Sequence, residues 1–200
     1  MDISLFDSAQ LSVLVTEYGY SGLLLVCFLS AFALPIPASV AIATAGVLAS
    51  AEMLNIWMVI GIALSANVLG DFAGYGIGQR TSTQGEHLRG WLLRDERGAM
   101  VREVLLRHPA VVIYSSRFIT TIGPLVNVLS GYLPVRFRVF VVFDVLGELS
   151  YSAFFALAGY TLGDAWQNES RFLWTGIAVL ISFGLVVAFG RAMFRDYRRE

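Results

Sequence analysis

Apolar residues run through this chain in stretches longer than a soluble core helix needs, and one broad internal segment between them is polar. From Ser30 to Ser50 the sequence reads SAFALPIPASVAIATAGVLAS, and a second apolar run ends in Gly74, Tyr75 and Gly78. A third extends from Pro109 to Leu133, and two more cover about 138–163 and 172–191. Crossing the hydrocarbon takes about 20 apolar residues, so the last two runs predict plain transmembrane helices. Segment 80–108 is polar, yet Trp91, Leu92, Leu93, Met100, Val101, Val104 and Leu105 recur in it at roughly helical spacing. That pattern predicts either an amphipathic helix at the headgroup level or a solvated helical linker between two halves. Segment 1–18 mixes Leu5, Phe6, Leu11, Val13, Leu14 and Val15 with polar residues. It fits a helix lying along the membrane surface before the first crossing.

Two of the apolar runs are interrupted. Pro35 and Pro37 break the stretch 30–50, removing amide donors and disfavouring helix just before each ring. Gly123 and Pro124 break the stretch 109–133, followed by Asn127 and Ser130. Each could be one kinked helix or a hairpin that enters the membrane, turns and leaves on the same side. Broken backbone at membrane depth persists only where protein or a watery cavity surrounds it, because lipid satisfies no freed amide or carbonyl. Two such breaks in one small protein favour the hairpin. The runs after the breaks also echo each other, ending in Gly74-Tyr75-x-x-Gly78 and Gly159-Tyr160-x-x-Gly163. An arginine-rich segment follows the first copy and Asp164 the second, so the copies end on opposite faces. This is the trace of an inverted repeat, in which paired broken helices meet near the midplane.

Composition fits a lipid solvent. Hydrophobic residues make up 56% of the chain and charged residues 14%, against about 25% charged in soluble domains; mean hydropathy is +0.68. We expect a single membrane domain over 1–200, with a first half 1–79, the segment 80–108, a second half 109–163 and a C-terminal span 172–191. All 14 basic residues are arginines. None precedes Arg80, six fall in 80–108, and Arg191, Arg195, Arg198 and Arg199 crowd the C-terminus. Positive charge concentrates on the cytoplasmic side, which predicts that both regions are cytoplasmic and that the connection from Asp164 to Arg171 faces away. Residues 1–18 hold Asp2, Asp7 and Glu17 without a basic residue, so no cleaved signal peptide is expected. A net charge of −1 argues against nucleic-acid binding. Cys27 has no second cysteine to pair with, and His87 and His108 lack the spacing of metal ligands, so neither a metal nor a cofactor is expected.

Four ionisable residues fall inside apolar runs: Asp71, Arg117, Asp144 and Glu148. An arginine at the bilayer centre costs roughly 2.5–3.5 kcal/mol on insertion scales, so Arg117 must meet an anion, a wet cavity or both. Its planar fork of donors suits a phosphate or a carboxylate. Asp144 and Glu148 are four apart and share a helix face, an arrangement that favours keeping a proton on at least one of them. Arg117 then holds a lipid phosphate when substrate is present and an internal carboxylate when it is absent, or it forms a permanent structural ion pair. Asp71 is a third candidate for proton coupling, or a residue that merely caps or hydrates its helix end. Asn127, Ser130 and Ser39 are candidates for headgroup contact; for Asn127 and Ser130 the alternative is satisfaction of backbone groups at the break. Gly70, Gly74 and Gly78 form a smooth face for close helix approach.

The segment RFITTIGPLVNVLSGYLPVRFRVFVVFDVLGELSYSAFFALAGYTLGD resembles the signature region of the DedA family, also called the VTT or SNARE-associated Golgi protein family. The features that carry the resemblance are Arg117-Phe118, Gly131, Arg136 and Arg138 around Phe137, Gly147, and Gly159-Tyr160-x-x-Gly163. In the first half, ALPIPASVAIATAGVLAS and LGDFAGYGIGQR resemble the family's proline-containing hairpin and its Gly-Asp-x-x-Gly-Tyr-x-x-Gly stretch. The resemblance implies an all-α polytopic protein with two facing re-entrant hairpins. It also implies movement of lipids, polyprenyl-phosphate carriers or phospholipids, across a bacterial inner membrane, driven by protons. Three positions depart from the family pattern: Pro37 is followed by Ala38 and Ser39 instead of an acid, Gly123 stands in place of a second arginine, and Thr120 in place of a proline.

Other functions fit less well. A membrane lipid phosphatase needs a histidine nucleophile with lysine, arginine and a second histidine, but the chain has no lysine, and both histidines lie in the polar segment. Intramembrane serine proteolysis fails on the same histidines, so no enzyme activity is expected. A small-ion or oxyanion/proton exchanger on the same site remains an alternative, as does a non-transporting scaffold. A homo-oligomer stays open.

Overall fold

A computed structural model describes residues 8–31, 36–84, 96–119 and 122–166. Pro35, His87, Thr120 and the expected span 172–191 lie outside the described residues. The described chain is all helical, with no strand: α1 Ser8–Ala31, α2 Ala38–Ser50, α3 Ile56–Gln84, α4 Glu96–Arg107, α5 Pro109–Ser116, α6 Gly123–Tyr132 and α7 Phe137–Trp166. Two segments are long and apolar enough to cross a membrane, Ile56–Thr81 within α3 and Phe137–Asp164 within α7. Their outward faces carry Trp57, Met58, Leu69, Val142 and Leu146, all exposed. Helices that are apolar on their outer side belong in hydrocarbon. α3 runs to Gln84, beyond the boundary expected at residue 79. The Thr81 hydroxyl donates to the Ile77 carbonyl at 2.8 Å inside this extension, and the long stem of Arg80 lets its charge sit at the helix end.

Both breaks appear as ends of helices. Between α1 and α2, Pro37 stands at the α2 N-cap, and the Ser30 hydroxyl donates to the Ile36 carbonyl at 2.7 Å, tying the two sides together. Between α5 and α6 the chain turns tightly. The amides of Arg117, Phe118 and Ile119 donate to the carbonyls of Tyr114, Ser115 and Ser116 at 3.1–3.4 Å. Those of Ile122 and Gly123 both donate to Ile119, at 2.9 and 3.2 Å. These five amides are therefore met within the chain, as an apolar surrounding demands.

The short helix after each break packs on the long helix of the other half. A side chain at Gly46 on α2 would strike the Ala156 carbonyl of α7, and one at Gly159 on α7 would strike the Ala43 carbonyl of α2. The same reciprocal closeness joins α6 and α3, where Gly131 faces the Tyr75 carbonyl and Gly78 faces the Val128 carbonyl. Both Gly-Tyr-x-x-Gly copies are thus docking faces between halves, each letting two backbones touch.

Apolar packing forms two clusters. One joins α1, α2, the first half of α3 and the second half of α7, around Leu23, Ile36, Ile42 and Val59. The other joins the second half of α3, α4, α5, α6 and the start of α7, around Leu105, Ile113, Leu129 and Phe140. Leu105 is wholly buried, whereas Arg102, Glu103, Leu106 and Arg107 on α4 are exposed. The long helices α3 and α7 pass through both clusters, and the buried Asp71 of α3 and Asp144 and Glu148 of α7 lie where each helix passes from one to the other.

Candidate functional site

Arg117 follows α5 directly and is 7% exposed, with Asp71, Asp144 and Glu148 also buried. Its Nη1 lies 2.6 Å from Asp71 Oδ2, 3.4 Å from Glu148 Oε1 and 3.5 Å from Asp144 Oδ1. Its Nη2 donates to Asn127 Oδ1, and its Nε donates to the Ile113 carbonyl at 3.4 Å. Asn127 in turn donates from Nδ2 to Asp71 Oδ1 at 2.5 Å. One guanidinium therefore joins the break helix α6, the first-half helix α3 and the second-half helix α7.

Helix periodicity sets this convergence. Asn67 and Asp71 are one turn apart on α3, and Asp144 and Glu148 one turn apart on α7, so each helix offers a polar stripe to the other. Gly147 lies on α7 between the two acids, and a side chain there would come within 2.7 Å of Arg117 Cγ. Its absent side chain makes room for the arginine stem. Asp71 sits well inside α3 and is buried, which sets aside the alternative of a helix-end cap.

The network is unevenly satisfied. Asp71 Oδ2 is close to Nη1 but receives no aligned hydrogen bond, and neither oxygen of Asp144 accepts one. With one guanidinium facing three carboxyl groups, full ionisation would leave two uncompensated negative charges in a buried site. Burying unpaired charge is strongly unfavourable.

A cavity of about 50 Å³ opens beside Arg117, room for a few water molecules or one tetrahedral anion. Ser30, Ala31 and Ala38 line it from the first break, and Ser116, Arg117, Gly123 and Pro124 from the second. Asn67, Asp71, Glu148 and Tyr151 complete it. Both interruptions thus reach the same space.

Of the residues singled out from sequence, Arg117, Asp71, Asp144, Glu148 and Asn127 meet in one network, and Gly123 and Pro124 line its cavity. Ser39 is half-buried on α2 against the Tyr151 hydroxyl, and Ser130 is fully buried with an unpartnered hydroxyl. Neither lines the cavity. Pro37 caps α2 next to it. Sequence reasoning missed Asn67, whose Nδ2 donates to Glu148 Oε2 at 2.8 Å, and also Ser116 and Tyr151. The signal that could have found Asn67 is its place one turn before Asp71. Among the described residues no group of His, Cys, Asp or Glu is arranged to hold a metal ion.

The VTT domain model matches residues 36–161, a span that begins within the first break and contains the second break and every member of the network. The chain belongs to the VTT-domain, or DedA, family. It is 27% identical over 194 residues to Protein DedA of Escherichia coli K12, covering 90% of this chain and 87% of that protein. An uncharacterized membrane protein of Synechocystis is 24% identical, with 85% and 79% coverage. The inner membrane protein YabI of Escherichia coli K12 is also 24% identical, with 83% and 68% coverage. No solved structure matches. Within this VTT-domain protein the family's missing hairpin acid has no carboxylate substitute on α2. All three acids of the site stand on the long helices α3 and α7.

Proposed function

We propose that this DedA-family protein moves a phosphate-bearing lipid, a polyprenyl-phosphate carrier or a phospholipid, across the bacterial inner membrane with proton coupling. In this reading the part of α1 that follows the non-helical Gly19 forms with α2 the first re-entrant hairpin, wider than the stretch 30–50 expected from sequence, and α5 with α6 the second, as an inverted repeat whose tips meet at the cavity. The observation that carries it is the buried Arg117, reached from both breaks and held by acids from both halves. Helix rise supports the depth. Asp71 lies about 22 Å along α3 from Ile56 and about 15 Å from Thr81, near the middle of a hydrocarbon layer about 30 Å thick. The assignment to the inner membrane draws on the relative named for that membrane, and the arginine bias puts the segment 80–108 and the C-terminus in the cytoplasm.

In the resting protein Arg117 is occupied by Asp71 and Asn127. A lipid phosphate arriving in the cavity competes for the same fork of donors, and its negative charge adds to a site that already has excess carboxyl groups. Charge balance is reached when the displaced acids take up protons, which couples substrate binding to proton binding through Asp71, Asp144 and Glu148. In this reading no bond of the lipid is made or broken, and the protein acts as a transporter.

The test is lipid flipping in proteoliposomes. Arg117→Ala is expected to abolish movement, and Glu148→Gln and Asp144→Asn to remove its dependence on a pH gradient. Arg117→Ala with wild-type half-saturation would end the reading. A second reading, an oxyanion/proton exchanger, is favoured by the cavity's size, which suits a free tetrahedral anion. Inorganic phosphate that is itself taken up, with no lipid moved, would establish it.

A further inference from the structure

We propose that Arg136, Phe137 and Arg138, at the start of α7, form a capture site for the phosphate of a lipid headgroup at the membrane interface, which loads the buried site. The proposal rests on the lipid-translocation reading. Arg136 and Arg138 are both exposed and form no ion pair among the described residues. Between them Phe137 is 53% exposed, yet its ring is fixed, lying 5.3 Å from Tyr75 and 6.1 Å from Phe72. An anchored aromatic ring flanked by two exposed guanidiniums presents an apolar wedge for the lipid and two forks for its phosphate.

The position adds the link to the buried site. Phe72 follows Asp71 in sequence, and Phe140, which stacks on Tyr75 at 4.6 Å and on Phe72 at 6.1 Å, precedes Asp144 by one turn. The aromatic group therefore runs from the exposed pair toward the acids of the network. Along α7 the distance from Phe137 to Asp144 is about 10 Å and to Glu148 about 16 Å. The headgroup depth of one leaflet is thereby joined to the cavity by a single packed surface. Charge complementarity selects the occupant: two exposed cations at an interface collect the anionic phosphate of a lipid, and the exposed ring needs an acyl environment.

The experiment uses the full chain in proteoliposomes, with initial flipping rates measured against the mole fraction of phosphatidylglycerol or of polyprenyl phosphate at low and high salt. Arg136→Gln/Arg138→Gln is expected to raise the half-saturating fraction by about five-fold per arginine removed, to keep the maximal rate and to lose the salt sensitivity of the wild type. Arg136→Lys/Arg138→Lys is expected to recover most of the affinity. Native mass spectrometry of protein released from phosphatidylglycerol nanodiscs reads binding without transport, and the double Gln variant is expected to retain fewer lipids. Unchanged half-saturation and lipid retention, or a loss confined to the maximal rate, would each overturn the capture site. If the wild type moves no lipid, the translocation reading fails, while lipid retention still decides whether the arginines capture phosphate.

Discussion

Arg117 can be held in the apolar interior because Asp71 and Asn127 meet it directly, and that pairing also makes it vulnerable. Replacing it with Met leaves three carboxyl groups facing no cation, a loss of about 3–5 kcal/mol for breaking a buried pair. Thermal unfolding in detergent is expected to show a clearly lowered midpoint for Arg117→Met, partly restored when Asp71→Leu is added, with flipping lost in both. Gly147→Val tests position without altering charge. Its side chain would press on the arginine stem, and flipping is expected to fall by up to about a hundred-fold, the cost of displacing a positioned group by about 1 Å. The four ionisable residues were legible in the sequence because a charge in an apolar run is itself a signal. Asn67 was not, since two neutral polar side chains, Ser65 and Asn67, in SANVLG are ordinary for a helix. Its role appears only when Glu148 is brought opposite it.

The helices follow the punctuation that proline and glycine supply. α2 begins after Pro37 and α6 at Gly123, close to where the sequence placed the breaks. The amphipathic pattern of 80–108 is represented among the described residues by α4. The pairing of helices could not be read in advance. Gly-Tyr-x-x-Gly says that some backbone comes near, but α2 choosing α7, and α6 choosing α3, depends on how the chain crosses itself. Gly131→Val is expected to destabilise by at least about 1–3 kcal/mol, because the Tyr75 carbonyl occupies the space a side chain would need. Gly61→Ala is the contrasting case. Nothing lies within 4 Å of its missing side chain, and the better helix former is expected to add up to about 1 kcal/mol. Thermal midpoints of the two variants in one detergent check both.

At the level of the folded protein, two apolar clusters sandwich one polar layer and its cavity. A bilayer allows such a layer only if it is enclosed, so water should reach the cavity while the outer faces stay dry. Cys27 is buried and is the chain's lone cysteine, which permits a Cys27→Ala background. Ser116→Cys, on the cavity wall, is expected to react with a small water-soluble thiol reagent and to be slowed by substrate. Leu69→Cys, on an exposed apolar face, is expected to stay unlabelled. Equal labelling of both would remove the enclosed pocket. The layering itself was hidden from the sequence, because each of α3 and α7 passes from one cluster to the other part-way along its length without a change in composition.

The crossed clasp between halves bears on how the chain is made. When α2 leaves the ribosome its seat on α7 has not yet been synthesised, so the first short helix must wait, sheltered by α1 and α3 or by an insertase, until α7 arrives. Each half supplies the template that finishes the other. Separately expressed halves should therefore be degraded alone and rescued together.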